Sequence, residues 1–219
     1  CLGDIVGFAL PFYKNINSRD ANKCVELIKA NCSHVVTGNH ELYALKKVPK
    51  YTSGFDYGEN WYSLDYDKRA KRARNKIWLY EDSEIPSLLS DASKDFLNGL
   101  DEFKVVLFDS VNIFISHFCY PDFSGSSIFS PEQPFHLAKH FEFVQNLNCK
   151  ISISGHGHPE GWVFTDEDKI SLLEFGEHKI KDDVCWIVAP SVANTSRKNG
   201  VFIFDTINFT IKTIQLNNN

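Results

Sequence analysis

Apolar residues recur along the chain in short blocks, at helical spacing in much of the first half and at alternating spacing in the second. Cys1-Leu2 is apolar and Gly3-Asp4 turns the chain, which predicts the tail of a strand at the very start. Ala21, Cys24, Val25 and Ile28 repeat at three- and four-residue steps behind Ser18, predicting a helix over residues 18–30 with that serine as its cap. His34-Val35-Val36-Thr37 predicts a short strand that runs directly into Gly38-Asn39-His40-Glu41. Residues 43–99 are polar with helical periodicity and predict a cap or insertion between core strands. Within it Tyr66, Ala70, Ala73, Ile77 and Tyr80 follow helical steps, and Lys68, Arg69, Lys71, Arg72, Arg74 and Lys76 fill the remaining faces. This basic run fits the solvated side of an amphipathic helix; a nuclear signal and a patch that attracts an anionic substrate are the rival readings.

Beyond Gly99 the pattern turns to strands. Residues 103–108 and 111–116 flank an Asp109-Ser110 turn and predict a hairpin. A Ser-, Pro- and Gly-rich loop covers 120–134, and a helix is predicted over 134–147 with Phe135, Leu137, Ala138, Phe141 and Val144 mostly inward. Residues 150–154 alternate as a strand that ends at Gly155-His156-Gly157-His158. Further short strands are predicted at 162–164, 170–173, 184–189, 201–204 and 209–214. No internal repeat and no linker divides the chain, and the asparagine run at 217–219 is its one low-complexity stretch. Strands alternate with helices early and accumulate late, which predicts a mixed α/β layered sandwich in one domain over residues 1–219.

Composition narrows the function classes. At 219 residues, 43% hydrophobic and 23% charged, the chain can bury a full core without disulfide or metal staples. A net charge of -5 argues against a surface built as a whole to grip nucleic acid, because that affinity comes from many cation–phosphate contacts. Its longest apolar runs fall far short of the roughly 20 residues that a membrane-spanning helix needs. Six Cys at 1, 24, 32, 119, 149 and 185 form no CxxC and no zinc-ribbon spacing, and mostly accompany apolar segments. Buried reduced thiols in a reducing, cytoplasmic setting are therefore expected rather than a disulfide framework. The chain contains no methionine and starts inside a strand pattern, so it is expected to be the remainder of a longer reading frame.

Four segments carry the candidate chemistry. Gly3-Asp4-Ile5-Val6-Gly7, Gly38-Asn39-His40-Glu41, Ser116-His117 and Gly155-His156-Gly157-His158 each put a potential metal ligand directly after a predicted strand. The carboxyl ends of strands form the usual crevice of layered α/β proteins, and glycines there let the backbone approach a ligand. Taken singly, Gly3-Asp4 reads as a plain turn, Asn39 as a helix cap and His117 as a hydrogen-bonded histidine at a sheet edge. Two histidines at i and i+2 between glycines have little structural purpose. Together the four supply oxygen and imidazole donors without thiolate, a set suited to Mn, Fe, Ni or Zn. Two such ions about 3.5–4 Å apart can activate water and stabilise both oxygens of a displacement at phosphorus. No Gly-x-Ser-x-Gly elbow, GxGxxG or Walker A pattern offers a competing chemistry.

The order Gly-Asp-x-x-Gly, Gly-Asn-His-Glu, Ser-His, Gly-His-x-His resembles the calcineurin-like metallophosphoesterases. The context Leu2-Gly3-Asp4-Ile5-Val6-Gly7-Phe8 with Pro11, Val36-Thr37 before Gly38, and Ala189-Pro190-Ser191-Val192 resembles their small bacterial and archaeal phosphodiesterase-like branch. The resemblance implies a sandwich of two mixed β-sheets flanked by helices, and two divalent transition-metal ions. It implies hydrolysis of a phosphate mono- or diester, a small phosphate-ester substrate, by attack of metal-bound hydroxide. By the same resemblance Asp4 would bridge both metals, with Asn39, His117 and His156 completing the second site and His158 binding the first. His40 would stand beside the substrate and protonate the leaving oxygen or stabilise the phosphoryl group, with Glu41 orienting its ring. The family's opening Asp-x-His is not present ahead of Asp4, so the first site is expected to be incomplete and this chain impaired. Phe118 stands where relatives often have Gly, and Pro190-Ser191-Val192 lacks the glycine of the usual Pro-Gly-Ser turn. A non-catalytic interaction scaffold that has lost the first metal site is the alternative.

Overall fold

The computed structural model describes residues 1–13 and 16–216, so the asparagine run lies outside it. Along these residues the elements are β1 (Phe8–Ala9), α1 (Ala21–Asn31), α2 (Asn39–Ala44), α3 (Tyr66–Ala73), β2 (Glu84–Ile85), α4 (Asp91–Asn98), β3 (Phe103–Phe108) and β4 (Val111–Ser116). They continue with α5 (Ala138–Asn146), β5 (Ile151–Ser154), β6 (Trp162–Thr165), β7 (Ile170–Leu173), β8 (Gly176–Lys179), β9 (Cys185–Val188), β10 (Gly200–Asp205) and β11 (Thr210–Gln215). A six-stranded mixed sheet runs β3-β4-β5-β9-β6-β7, a three-stranded antiparallel sheet runs β10-β11-β8, and β1 pairs with β2 as a small clip.

The centre of the large sheet is parallel: β4 with β5, and β5 with β9. All four residues of β5 and of β9 are buried, as expected of parallel strands covered on both faces. Side chains alternate across the sheet. Ile113 and Ile115, Ile151 and Ile153, and Cys185 and Ile187 enter the core shared with Trp162, Ile180 and Ile211, backed by Phe202, Phe204 and Phe209. Phe114, Trp186 and Val188 face the opposite way, into cores with Phe141 and Val144 of α5. The result is the α/β two-sheet sandwich with outer helices that the sequence predicted, its smaller sheet wholly antiparallel.

Several local expectations are corrected. The first long helix starts at Ala21 and is capped by Asp20, whose carboxylate accepts from Lys23 N at 2.9 Å, while Ser18 ends a separate 3-10 turn. Residues 34–37 form one parallel bridge, Val36 to Asp101, instead of a strand. Cys1 does lie alongside them: its amino group donates to the His34 carbonyl and its carbonyl accepts from Val36 N. The basic helix stops at Ala73, where Arg74 caps it and Asn75 takes a left-handed φ of 57°. Ile77 and Tyr80 therefore lie beyond the helix whose rhythm they continued. Arg69 is buried, paired with Glu81 and bonded to the Leu64 carbonyl, so it does not belong to the solvated face. Phe135 is 72% exposed because its segment is a 3-10 turn before α5 rather than the first turn of one helix. Strands β1, β2 and β8 were not foreseen. Cys119, Cys149 and Cys185 are buried free thiols, as expected, but Cys24 is exposed. Among the described residues no helix is long and apolar enough to cross a membrane.

Candidate metal centre

The parallel strands β4, β5 and β9 end on one side of the sheet, and the segments that follow them meet the turn at residues 3–7. Gly3, Asp4 and Gly7 adopt left-handed φ values of 88°, 54° and 106°, which bends the chain around the Asp4 carboxylate. Asp4 is not glycine, so its conformation is strained and needs outside support. Glu41 supplies it. Its fully buried carboxylate accepts from Asp4 N at 2.8 Å, Gly38 N at 2.7 Å and Val6 N at 3.0 Å, tying the turn to the start of α2. Burial first, and then the Asp4 charge, raise the Glu41 carboxyl above its usual value.

His117, one residue past β4, is fixed by the contact of its Nδ1 with the Leu2 carbonyl at 2.6 Å. Nδ1–H donates there, leaving Nε2 to face Asp4 Oδ2 at 3.1 Å and His156 Nδ1 at 3.2 Å. Ligand atoms of Asp4, His117 and His156 lie within 4.8 Å of one another. Lone pairs that face each other at these distances repel, and a proton or a cation among them relieves the repulsion. Burial alone would raise the Asp4 carboxyl, but the imidazoles of His117, His40 and His156 hold it well below the carboxylate range. Burial works against protonation of His117, and the Asp4 carboxylate overrides it and raises its pKa. His156 is pushed down to about 3 by burial, with the His117 charge adding to the effect.

His156 and His158 have left-handed φ values of 60° and 44°, so the turn after β5 is strained at both histidines. Gly125 packs against the His156 ring so closely that a Cβ there would stand 2.5 Å from Nδ1. Phe118 packs on the same ring, with centroids 4.7 Å apart, and is itself buried against Trp186. The residue that departs from the expected glycine is thus a wedge behind a candidate ligand. His158 lies outside the three-residue group, though the charges of Asp4, His117 and His40 bear on it and burial lowers its pKa.

Asn39 opens α2. Its Nδ2 donates to the Tyr80 hydroxyl at 2.5 Å, and the same amide's Oδ1 is buried without a hydrogen-bond partner in the protein. A buried oxygen left unpaired in this way costs on the order of 1–3 kcal/mol unless a further group satisfies it. His40, the next residue, donates its backbone N–H to Asp4 Oδ1 at 3.3 Å. The expectation that Glu41 orients the His40 ring is corrected, since Glu41 is engaged with backbone amides. Glu84 does that work, with Oε2 at 2.5 Å from His40 Nδ1, while the ring's Nε2 stands 3.9 Å from Asp4 Oδ2. Burial would lower the His40 pKa, but the carboxylates of Asp4, Glu84 and Glu41 lift it to about 9. Glu84 and Tyr80 were missed because they sit in the polar 43–99 segment with no motif around them. A carboxylate following an apolar helical rhythm was the one faint signal.

An unsatisfied buried amide oxygen, a carboxylate and two converging imidazole nitrogens, with no thiolate, fit a divalent transition metal. Fold and site together define an α/β sandwich with a cluster of residues that could hold a metal ion, two of them on the segments that follow the parallel strands β4 and β5. The family model described as calcineurin-like phosphoesterase matches residues 1–160, and the chain belongs to that family. Among solved structures it is similar to a metallophosphoesterase from Sphaerobacter thermophilus, at 16% identity and TM-score 0.65, covering 99% of this chain and 76% of that one. It is also similar to a hypothetical protein from Pyrococcus horikoshii OT3, at 11% identity and TM-score 0.56, covering 98% of this chain and 73% of that one. At these identities the likeness concerns the fold. No curated protein sequence matches. Family and fold give the coarse functional class, a metal-dependent phosphoesterase acting on phosphate esters.

Proposed function

We propose that this chain, as a single domain with residues 43–99 as its cap, hydrolyses a phosphate mono- or diester at a dinuclear centre. In this reading Asp4, Asn39, His117 and His156 hold one divalent ion, and Asp4 with His158 holds the other. Bound ions of this kind supply Lewis acidity toward phosphoryl oxygens and make a nearby water more acidic. The observation that carries the reading is the convergence of Asp4, His117 and His156, to which the buried, unpartnered Asn39 oxygen at the start of α2 adds a further donor. His40 contributes the proton chemistry. Its Nδ1–H is held by Glu84, whose carboxylate favours a second proton on Nε2. From Nε2 that proton can neutralise charge on the phosphoryl group or pass to the departing oxygen.

Protein loaded with Mn, Fe, Zn or Ni is expected to hydrolyse p-nitrophenyl phosphate or its bis-ester, and chelation is expected to abolish this. Because His158 lies outside the main cluster, one ion per chain should bind much more tightly than the second. Asp4→Asn should lower activity at least about 100-fold, since even partners one bond removed from a metal ligand are worth 10–100-fold. Metal binding without any hydrolysis of either ester would instead favour the non-catalytic scaffold.

A further inference from the structure

The strain at Asp4 opens onto a cleft of about 580 Å³ that reaches outward from the carboxylate. Its size is that of a small-molecule site. From Asp4 the cleft passes Phe8 and Tyr13, and its rim is formed by Arg19, Leu88 and Val192. Leu88 and Val192 are 76% and 66% exposed, large apolar side chains facing water beside an opening. Phe8 and Tyr13 lie with ring centroids 5.2 Å apart, tilted by 32°. Tyr13 also stands close to the reacting end: after burial, the charges of Asp4 and Glu84 are what raise its phenol. Arg19 is the one Lys, Arg or His among the described lining residues, and its guanidinium stands 6.0 Å from the Phe8 ring centroid. Asp20, the neighbouring acid, is occupied in capping α1.

The position of this wall is imposed by the fold. Phe8 pairs with Ile85 and Ala9 with Glu84 in the β1–β2 clip. Neighbouring residues of a strand point to opposite faces, so the clip that presents Glu84 to His40 also places Ile85 on the cleft side, beside Phe8. Polar side chains such as Ser18, Asn22, Ser87 and Asn194 also line the cleft, but Phe8, Tyr13, Ile85, Leu88 and Val192 give it a contiguous apolar and aromatic wall, with Arg19 the one cation among the described lining residues. Such a wall matches a flat ring, which removes apolar area from water and can stack between an aromatic face and a guanidinium.

We propose that the organic group of the substrate carries an aromatic ring, seated against Phe8 and Tyr13 and covered by Arg19, with its phosphate at Asp4. This rests on the phosphoesterase reading for turnover, whereas the seat for the ring is a property of the cleft and can be tested without turnover.

The binding probes are 2-phenylethylphosphonic acid and ethylphosphonic acid, which differ by the ring and are not hydrolysed, titrated by calorimetry into the manganese-loaded protein. The substrates are 2-phenylethyl phosphate and glycerol phosphate, whose leaving oxygens are both alkoxide-like. The phenyl probe is expected to bind at least about tenfold more tightly than the ethyl probe, and the phenyl ester to show a similar advantage in kcat/KM. Phe8→Ala should collapse both ratios to less than about threefold. Arg19→Gln, at an exposed position where folding is not at stake, should reduce them by about threefold. A phenyl preference in binding with no turnover of either ester would leave the cleft assignment standing and overturn the monoester arm of the phosphoesterase reading. Turnover of both esters with equal efficiency and equal binding of the two phosphonates would overturn the cleft assignment alone. Ratios unchanged in both variants would also overturn it.

Discussion

His140 of α5, sealed against the large sheet, and the partly buried Asp4 centre at the strand ends treat histidine in opposite ways. Around His140 every proton has a direction. Tyr120 N donates to Nδ1 at 3.1 Å, Nε2–H donates to Ser152 Oγ at 2.9 Å, and Ser152 donates to the Cys185 carbonyl at 3.1 Å. Nδ1 cannot take a proton without placing two N–H groups face to face, and burial pushes the pKa down to about 3. Phe114, Phe141 and Trp186 close around the ring. At the Asp4 centre acceptor atoms face acceptor atoms, Asn39 Oδ1 and Glu84 Oε1 are buried without protein partners, and Asp4, His156 and His158 sit in left-handed backbone. Satisfied polar groups rigidify a core, whereas strained and unsatisfied ones persist where surrounding structure holds them for another use. The residue type is the same and the partners differ: carboxylates face the histidines of the Asp4 centre, whereas a backbone amide and a serine hydroxyl face His140.

The comparison predicts that mutations separate stability from chemistry. His140→Ala leaves the Tyr120 N–H unpaired, takes from Ser152 Oγ the donor it accepts from and opens a cavity, so unfolding free energy in denaturant should fall by about 3 kcal/mol. The activity of the molecules that remain folded should not change. A loss of activity larger than the loss of folded protein would break the contrast. Glu84→Gln should do the reverse, lowering kcat by about 10- to 100-fold, part of what a general acid is worth, with little change in melting temperature. Its signature is the pH profile: the alkaline limb should move to lower pH as His40 loses the carboxylate that helps hold its charge, with partial recovery in Glu84→Asp. An unshifted profile would reduce Glu84 to a packing role.

Smallest and most diagnostic are two opposed pH slopes, read by denaturant unfolding of the chelator-treated protein. His140 has a folded pKa of about 3 against an ordinary value of 6.5, so its contribution is complete above pH 6.5 and is lost as pH falls toward 3. The cost approaches about 1.4 kcal/mol per pH unit inside that window. His40, lifted to about 9, contributes fully below pH 6.5 and loses that contribution as pH rises through 9, with the same limiting slope. His140→Gln should flatten only the acid side and His40→Gln only the alkaline side. Equal flattening on both sides would remove the distinction between the two environments.

Much of this was legible before any coordinates. Ile151-Ser152-Ile153 reads as a strand because apolar and polar residues alternate, and Ile113-Phe114-Ile115 because a short apolar run follows the Asp109-Ser110 turn; they lie in β5 and β4. The ligand-bearing turns read as such because glycine next to Asp or His after a strand is a local signal. The helix end at Ala73 was not legible, since the apolar rhythm through Ile77 and Tyr80 continues while Asn75 breaks the backbone. Two-residue strands such as β1 and β2 carry no periodicity at all, so the clip that brings Glu84 to His40 is invisible along the chain.

By itself, then, the sequence marked the central strands and singled out Asp4, Asn39, His117 and His156 as candidate donors, because strand patterns and glycine turns act over a few residues. Only the tertiary structure decided that Glu41 braces the backbone under Asp4 while Glu84 holds His40, and that His140 is a sealed core residue while His117 faces other acceptors. Those roles depend on which atoms meet across 12 to 44 residues of chain, and side-chain chemistry alone does not encode a partner at that distance.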